Sequence, residues 1–191
     1  MKKIYILIIT IHFVFVSENI CQTYLFNGNK SGFSAMVGVF SVRSYTRQNA
    51  AFFGAEATIS GYLSFGFSRT FSKYDYDNGF NTYSLNLALY KSEKVNRVWT
   101  YPLVASYSKV NNKDVFLGGG GVALKNQISP KTSITPVFLV LFQNQSRYSG
   151  KKYSRVFGFE LNVVHQKLRI VPSITLAKNN TSIAISGGFV L

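Results

Sequence analysis

The chain is poor in acid, cysteine, histidine and long apolar runs, and each shortage excludes something. Seven Asp and Glu stand against 21 Lys and Arg, a net charge of +14. Such a balance attracts anions: nucleic acid, lipid head groups or phosphorylated glycans. The cations are scattered, with no run of five or six, whereas a nucleic-acid module gathers them on one helix or stripe. No nucleic-acid partner is therefore expected. One cysteine, Cys21, excludes an internal disulfide and a cysteine-based metal site. Of the two histidines, His12 lies in an apolar leader and His165 in a polar stretch, His165-Gln166-Lys167, read as a solvated turn. No metal or cofactor is implied. Beyond the first twenty residues no apolar run approaches the length of a membrane helix.

What is abundant points to a sheet. Seventeen Phe and 12 Tyr accompany 15 Gly, while charged residues make up only 15% of the chain. A soluble domain carries about 25% charge, so the shortfall suits an outer face that meets lipid. At 191 residues the length fits a single domain.

Residues 1–21 read as a secretory signal peptide: Lys2 and Lys3, then the apolar run Ile4 to Val16, broken by Thr10 and His12. Thirteen residues make roughly 20 Å of helix, short of the ~30 Å hydrocarbon layer. Cleavage is expected between Cys21 and Gln22, leaving residues 22–191 as the mature domain. Glu18-Asn19-Ile20-Cys21 departs from the Leu-Ala-Gly-Cys of lipoprotein leaders, so Cys21 is expected to carry no lipid.

The mature chain alternates with period two in segments of about ten residues, the length of a tilted transmembrane strand. Tyr83, Leu85, Leu87 and Leu89 alternate with Ser84, Asn86 and Ala88; Phe157, Phe159, Leu161 and Val163 with Gly158, Glu160 and Asn162; Leu168, Ile170, Ile174 and Leu176 with Arg169, Ser173 and Thr175. The polar face is mostly Gly, Ser, Ala, Asn and Thr rather than Lys and Glu, which suits a crowded lumen, and the aromatic face suits lipid. The reading is all-β: an antiparallel up-and-down transmembrane barrel of about ten strands, eight being the other count considered. The expected strands are 32–43, 51–60, 62–71, 81–91, 97–110, 115–124, 133–143, 154–164, 168–177 and 181–191. Pro102, Pro136 and Pro172 fall inside three of them, where each removes a ladder donor and asks for a bulge. The seventh is apolar on both faces and calls for a dry patch of lumen or a plugging side chain.

Alternation sends Glu56, Asn86, Glu160, Asn162 and Arg169 to the lumen. Trp99 and Tyr101, near a strand start, are expected at the lipid interface of the end holding both termini. Arg147, Lys151 and Lys152 lie in an outward connection and are candidate contacts for lipopolysaccharide phosphates, with ordinary loop solubility the competing account. Gly118 to Gly121 lack the Gly-Lys-Ser/Thr of a phosphate loop and continue into Val122-Ala123-Leu124, so they read as strand.

With its leader, alternating segments and closing Gly187-Gly188-Phe189-Val190-Leu191, the chain resembles small bacterial outer-membrane β-barrel proteins. Their last strand ends in alternating hydrophobics with a terminal aromatic; Phe189 and Leu191 match the alternation, and Leu in the last place departs from the usual Phe. The resemblance implies outer-membrane localisation, contact with membrane lipid and the outer-membrane assembly machinery, and no particular oligomeric state. Barrel proteases of this kind use clustered Asp with a His at the outer rim, but Asp75, Asp77 and Asp114 are assigned outward and His165 inward. Barrel deacylases use His and Ser two apart, and Gln166 and Lys167 follow His165. The expectation is a non-enzymatic envelope component, a narrow pore or a surface-contact protein. The rivals are a secreted, lipocalin-like barrel with an apolar ligand and a lipid-modifying barrel enzyme.

Overall fold

A computed structural model describes residues 24–26, 30–43, 47–72, 80–110, 113–144, 153–178 and 180–191. The leader, Asp75, Asp77, Arg147, Lys151 and Lys152 lie outside these residues. Strands run β1 Gly32–Arg43, β2 Arg47–Ile59, β3 Leu63–Ser72, β4 Phe80–Lys94, β5 Arg97–Val110, β6 Lys113–Ser129, β7 Thr132–Asn144, β8 Tyr153–His165, β9 Leu168–Ala177 and β10 Asn180–Val190. Each strand pairs antiparallel with its sequence neighbours, and β10 pairs with β1 to close the sheet. The chain is a closed, up-and-down, ten-stranded barrel.

Both ends of the described barrel strands β1 and β10, Gly32 and Val190, lie at one end of the barrel, together with the tight turns at 60–62, 95–96, 130–131 and 166–167. We call this the turn end, and the other the loop end. The first turn is tight because Ser60 (φ 51°) and Gly61 (φ 68°) both take left-handed backbone, and Tyr62 N donates to Ile59 O. That geometry matches the right-handed twist of a hairpin.

Side chains alternate as the pattern requires. Val37, Val39, Phe65, Tyr83, Leu87, Phe159 and Ile183 are exposed on the outer wall, while Ser34, Thr58, Ser64, Thr82, Asn86, Thr135 and Thr175 are buried inside. Aromatic rings contact one another along the outside, Phe67 with Tyr83 and Phe138 with Phe159.

Several boundaries differ from expectation. β2 begins at Arg47, β4 runs on to Lys94, and β6 continues to Ser129, so the longish connection expected from Lys125 to Thr132 is only Pro130-Lys131. His165 is the last residue of β8 rather than a turn residue, and its Nδ1 is 2.9 Å from the Thr132 hydroxyl across the hairpin.

The prolines are absorbed economically. Opposite Pro102, β4 carries one extra residue between Ala88 and Tyr90, a bulge. Pro136 and Pro172 need none. Pro136 keeps its register with β8 (opposite Leu161) while the ladder to β6 has a gap there, and Pro172 keeps its register with β10 (opposite Ile185) while the ladder to β8 has a gap. In the glycine run, Gly119 and Gly121 point inward with β7 backbone lying directly over them: a Cβ on Gly121 would collide with Phe138 O. Only glycine allows the two strands to approach so closely.

Candidate functional site in the barrel lumen

Alternation brings polar side chains from separate strands into one layer inside the turn-end half of the barrel. Arg169 follows the 166–167 turn on β9, and its Nε donates to Asn162 Oδ1 on β8 at 2.7 Å. Its Nη2 reaches the same oxygen, and Nη1 donates to Ser34 Oγ on β1 at 3.3 Å. Ser34 stands opposite Glu56 of β2 in register, and Glu56 Oε1 accepts a 3.0 Å bond from Asn86 Nδ2 of β4. Glu160 lies two residues before Asn162 on the same face of β8. All five lumen candidates, Glu56, Asn86, Glu160, Asn162 and Arg169, are buried in the interior, none more than 5% exposed. Buried charge of this kind is costly unless hydrogen-bonded; the bonds above tie the layer together, while Glu160 Oε1 and Asn86 Oδ1 accept no bond among the described residues.

The layer has a member from outside the barrel wall. Tyr24, eight residues before β1, is fully buried. Its hydroxyl donates to Glu160 Oε2 at 3.3 Å and accepts from Asn162 Nδ2 at 2.7 Å. Leu25 O accepts from Lys125 Nζ at 2.6 Å, and Phe26 O accepts from Lys91 Nζ. Tyr24 and Leu25 belong to an apolar cluster with Val104, Leu117, Val137, Leu139 and Val156, and Phe26 packs against its edge. Its ring also fills the space a side chain at Gly32 would need. The segment thus sits inside the lumen as a plug against part of its wall.

The plug accounts for the seventh strand. Val137, Leu139 and Leu141 face inward and are almost completely buried, forming the dry wall against which the Tyr24–Phe26 segment lies. A second dry patch, Phe40, Val42, Phe52 and Ala184, fills the lumen between β10, β1 and β2.

Sequence reasoning did not find the plug. Tyr24-Leu25-Phe26 is too short for a strand and precedes the first alternation; the doubly apolar β7 was its one trace. Nor does plain alternation place Lys91. Counting by twos from Asn86 and Ala88 sends it outward to lipid, but the bulge at Leu89 reverses the parity. Lys91 then lies opposite buried Thr100 and turns into the lumen mouth.

Outside, Trp99 and Tyr101 project from the barrel near the turn end, both exposed, with the Tyr101 ring 5.7 Å from that of Tyr90. Arg69 stands on the outer wall toward the loop end, its Nη1 donating to Asn81 Oδ1 and its guanidinium over the Phe71 ring.

No family model and no curated protein matches the sequence. Among solved structures, the chain is similar to the translocator domain of autotransporter NalP from Neisseria meningitidis, at 12% identity and TM-score 0.43, over 86% of this chain and 88% of that one. It is also similar to the β domain of the Bordetella autotransporter Brka (10%, TM-score 0.42, 83% and 98%) and to Neisserial surface protein A (12%, TM-score 0.32, 84% and 96%).

Proposed function

We propose that this protein is a non-enzymatic bacterial outer-membrane barrel that serves the envelope as a closed scaffold or surface-contact protein. One observation carries the membrane placement: the wall is inverted relative to a water-soluble protein. Val37 is 65% exposed, Leu87 41% and Ile183 62%, while Arg169 is 2% exposed and Asn86 0%. An exposed apolar wall of this extent is a liability in water and a requirement in lipid. The same observation weighs against a secreted, lipocalin-like barrel, which would be polar outside and apolar within.

Between pore and scaffold, the plug favours the scaffold. About ten strands leave a bore little wider than the eight-stranded barrels whose side chains fill it, and here the Tyr24–Phe26 segment occupies it as well. The outward Trp99 and Tyr101 fit an interfacial aromatic girdle.

Fractionation of native cells with heat-modifiable gel migration is the test. The protein should partition with outer membranes and migrate faster unboiled than boiled. Recovery in the soluble fraction without detergent would sink the proposal. In planar bilayers the folded protein should show at most a small conductance, and large stable porin-like steps would overturn the scaffold reading.

A further inference from the structure

The plug is held from below by lysines, and more lysines surround it than that task uses. At the turn-end mouth a cavity of about 420 Å³ is lined by Leu25, Lys125, Lys131, Lys167, Gln127 and Gln166 among others, with no carboxylate side chain among the described lining residues. Its volume falls within the ~300–1,000 Å³ typical of small-molecule sites. Lys125 comes from β6, Lys131 from the 130–131 turn and Lys167 from the 166–167 turn, so three separate parts of the chain converge on one space. Lys30 and Lys91 add their repulsion at Lys125, and Glu93 opposes it.

The arrangement is also fixed in place. Gln166 N donates to Lys131 O at 2.6 Å, tying the two lysine-bearing turns together, and Val190 N donates to Lys167 O at 2.8 Å. Like charges that merely solubilise turns would spread apart in water. Here the backbone bonds hold the turns that carry Lys131 and Lys167, both exposed, around a concave space with an apolar roof, where several cations add to one field.

We propose that this mouth is a binding site for a phosphate-bearing anion, gripped by Lys125, Lys131 and Lys167 directly beneath the plug. Ammonium groups form charge-assisted bonds to phosphate oxygens, and neutralising them relieves the crowding. Because Lys125 also donates to Leu25 O, an anion held there lies against the plug and stabilises its seated position. The phosphate could come from a soluble anion or from a lipid head group at the barrel rim, since the chemistry is shared.

Inorganic diphosphate is the probe, titrated at low salt into the full mature protein folded in zwitterionic detergent and followed by calorimetry and 31P NMR. Saturable one-to-one binding is expected, falling about tenfold or more in the double variant Lys131→Gln/Lys167→Gln. The charge-matched variant Lys109→Gln/Lys178→Gln, at the loop end, should stay within about twofold of wild type, since neither residue lines the mouth. Absence of saturable binding to folded wild type, or an equal loss in both variants, would overturn the proposal. Repeating the titration in nanodiscs identifies the source. Weaker diphosphate binding in phosphatidylglycerol than in phosphatidylcholine discs marks a head group as occupant, and equal binding marks a soluble anion. Heat-modifiable migration reads barrel folding independently, so loss of binding by folded protein bears on the mouth alone.

Discussion

The Tyr24 hydroxyl donates to Glu160 across 136 positions of sequence, joining the segment before the first strand to the middle of β8. That bond, with the one from Asn162, makes the interior a single structure of wall and plug.

Removing the plug should open the barrel. Deletion of residues 24–26 takes away Tyr24 and Leu25 from the dry cluster and both backbone carbonyls that the lysines hold. Planar-bilayer recordings should show discrete current steps that wild type lacks. The milder Tyr24→Phe keeps the ring but leaves Glu160 and Asn162 each short of a partner, and should cost about 1–3 kcal/mol in urea unfolding from lipid vesicles. Identical currents in wild type and the deletion would argue against a plug.

Arg169 should be the most sensitive polar residue of the lumen. It is 2% exposed and bonds both Asn162 and Ser34. Arg169→Met removes the cation from a layer containing Glu56 and Glu160, with an expected loss of about 3 kcal/mol. Arg169→Lys restores charge without the planar fork and should recover only part of it. Equal stability of all three proteins would show that the network contributes nothing.

The four consecutive glycines should respond in opposite ways. A Cβ on Gly121 meets Phe138 O and lies 2.9 Å from Leu139 Cα, both main-chain atoms that cannot swing aside. Gly121→Ala should cost at least about 3 kcal/mol or prevent folding. At Gly118 the nearest atom is Val104 O at 3.6 Å, an ordinary contact, and Gly118→Ala should change stability by less than about 1 kcal/mol. Folding yield in detergent, scored by gel migration, separates the two.

Adjacent residues of β4 should differ as sharply. Leu87 is on the outer wall and Ala88 faces inward at 6% exposure. Leu87→Arg near the bilayer midplane should cost ~2–4 kcal/mol or block assembly, and Ala88→Ser should be milder. Equal tolerance at both sites in a vesicle-folding assay would contradict a lipid-facing outer wall.

Period-two alternation is a local property, written every second residue, and it was enough to assign ten strands, the up-and-down barrel and the inward direction of Glu56, Asn86, Glu160, Asn162 and Arg169. It works because a strand has only two faces, so composition of one face reveals the other. What the alternation could not supply depends on contacts between distant parts of the chain. The parity of Lys91 turns on a single extra residue opposite Pro102, which becomes visible only once β4 and β5 are aligned. The seat of Tyr24 depends on β7 and β8, more than a hundred residues away, providing an apolar wall and a carboxylate–amide pair at matching height. The lysine-lined mouth likewise depends on the pairing of β7 with β8, which sets the 130–131 and 166–167 turns side by side. Which residues share a face of a strand is local and legible in the sequence up to the bulge at Leu89; closure of the barrel decided what fills the inside.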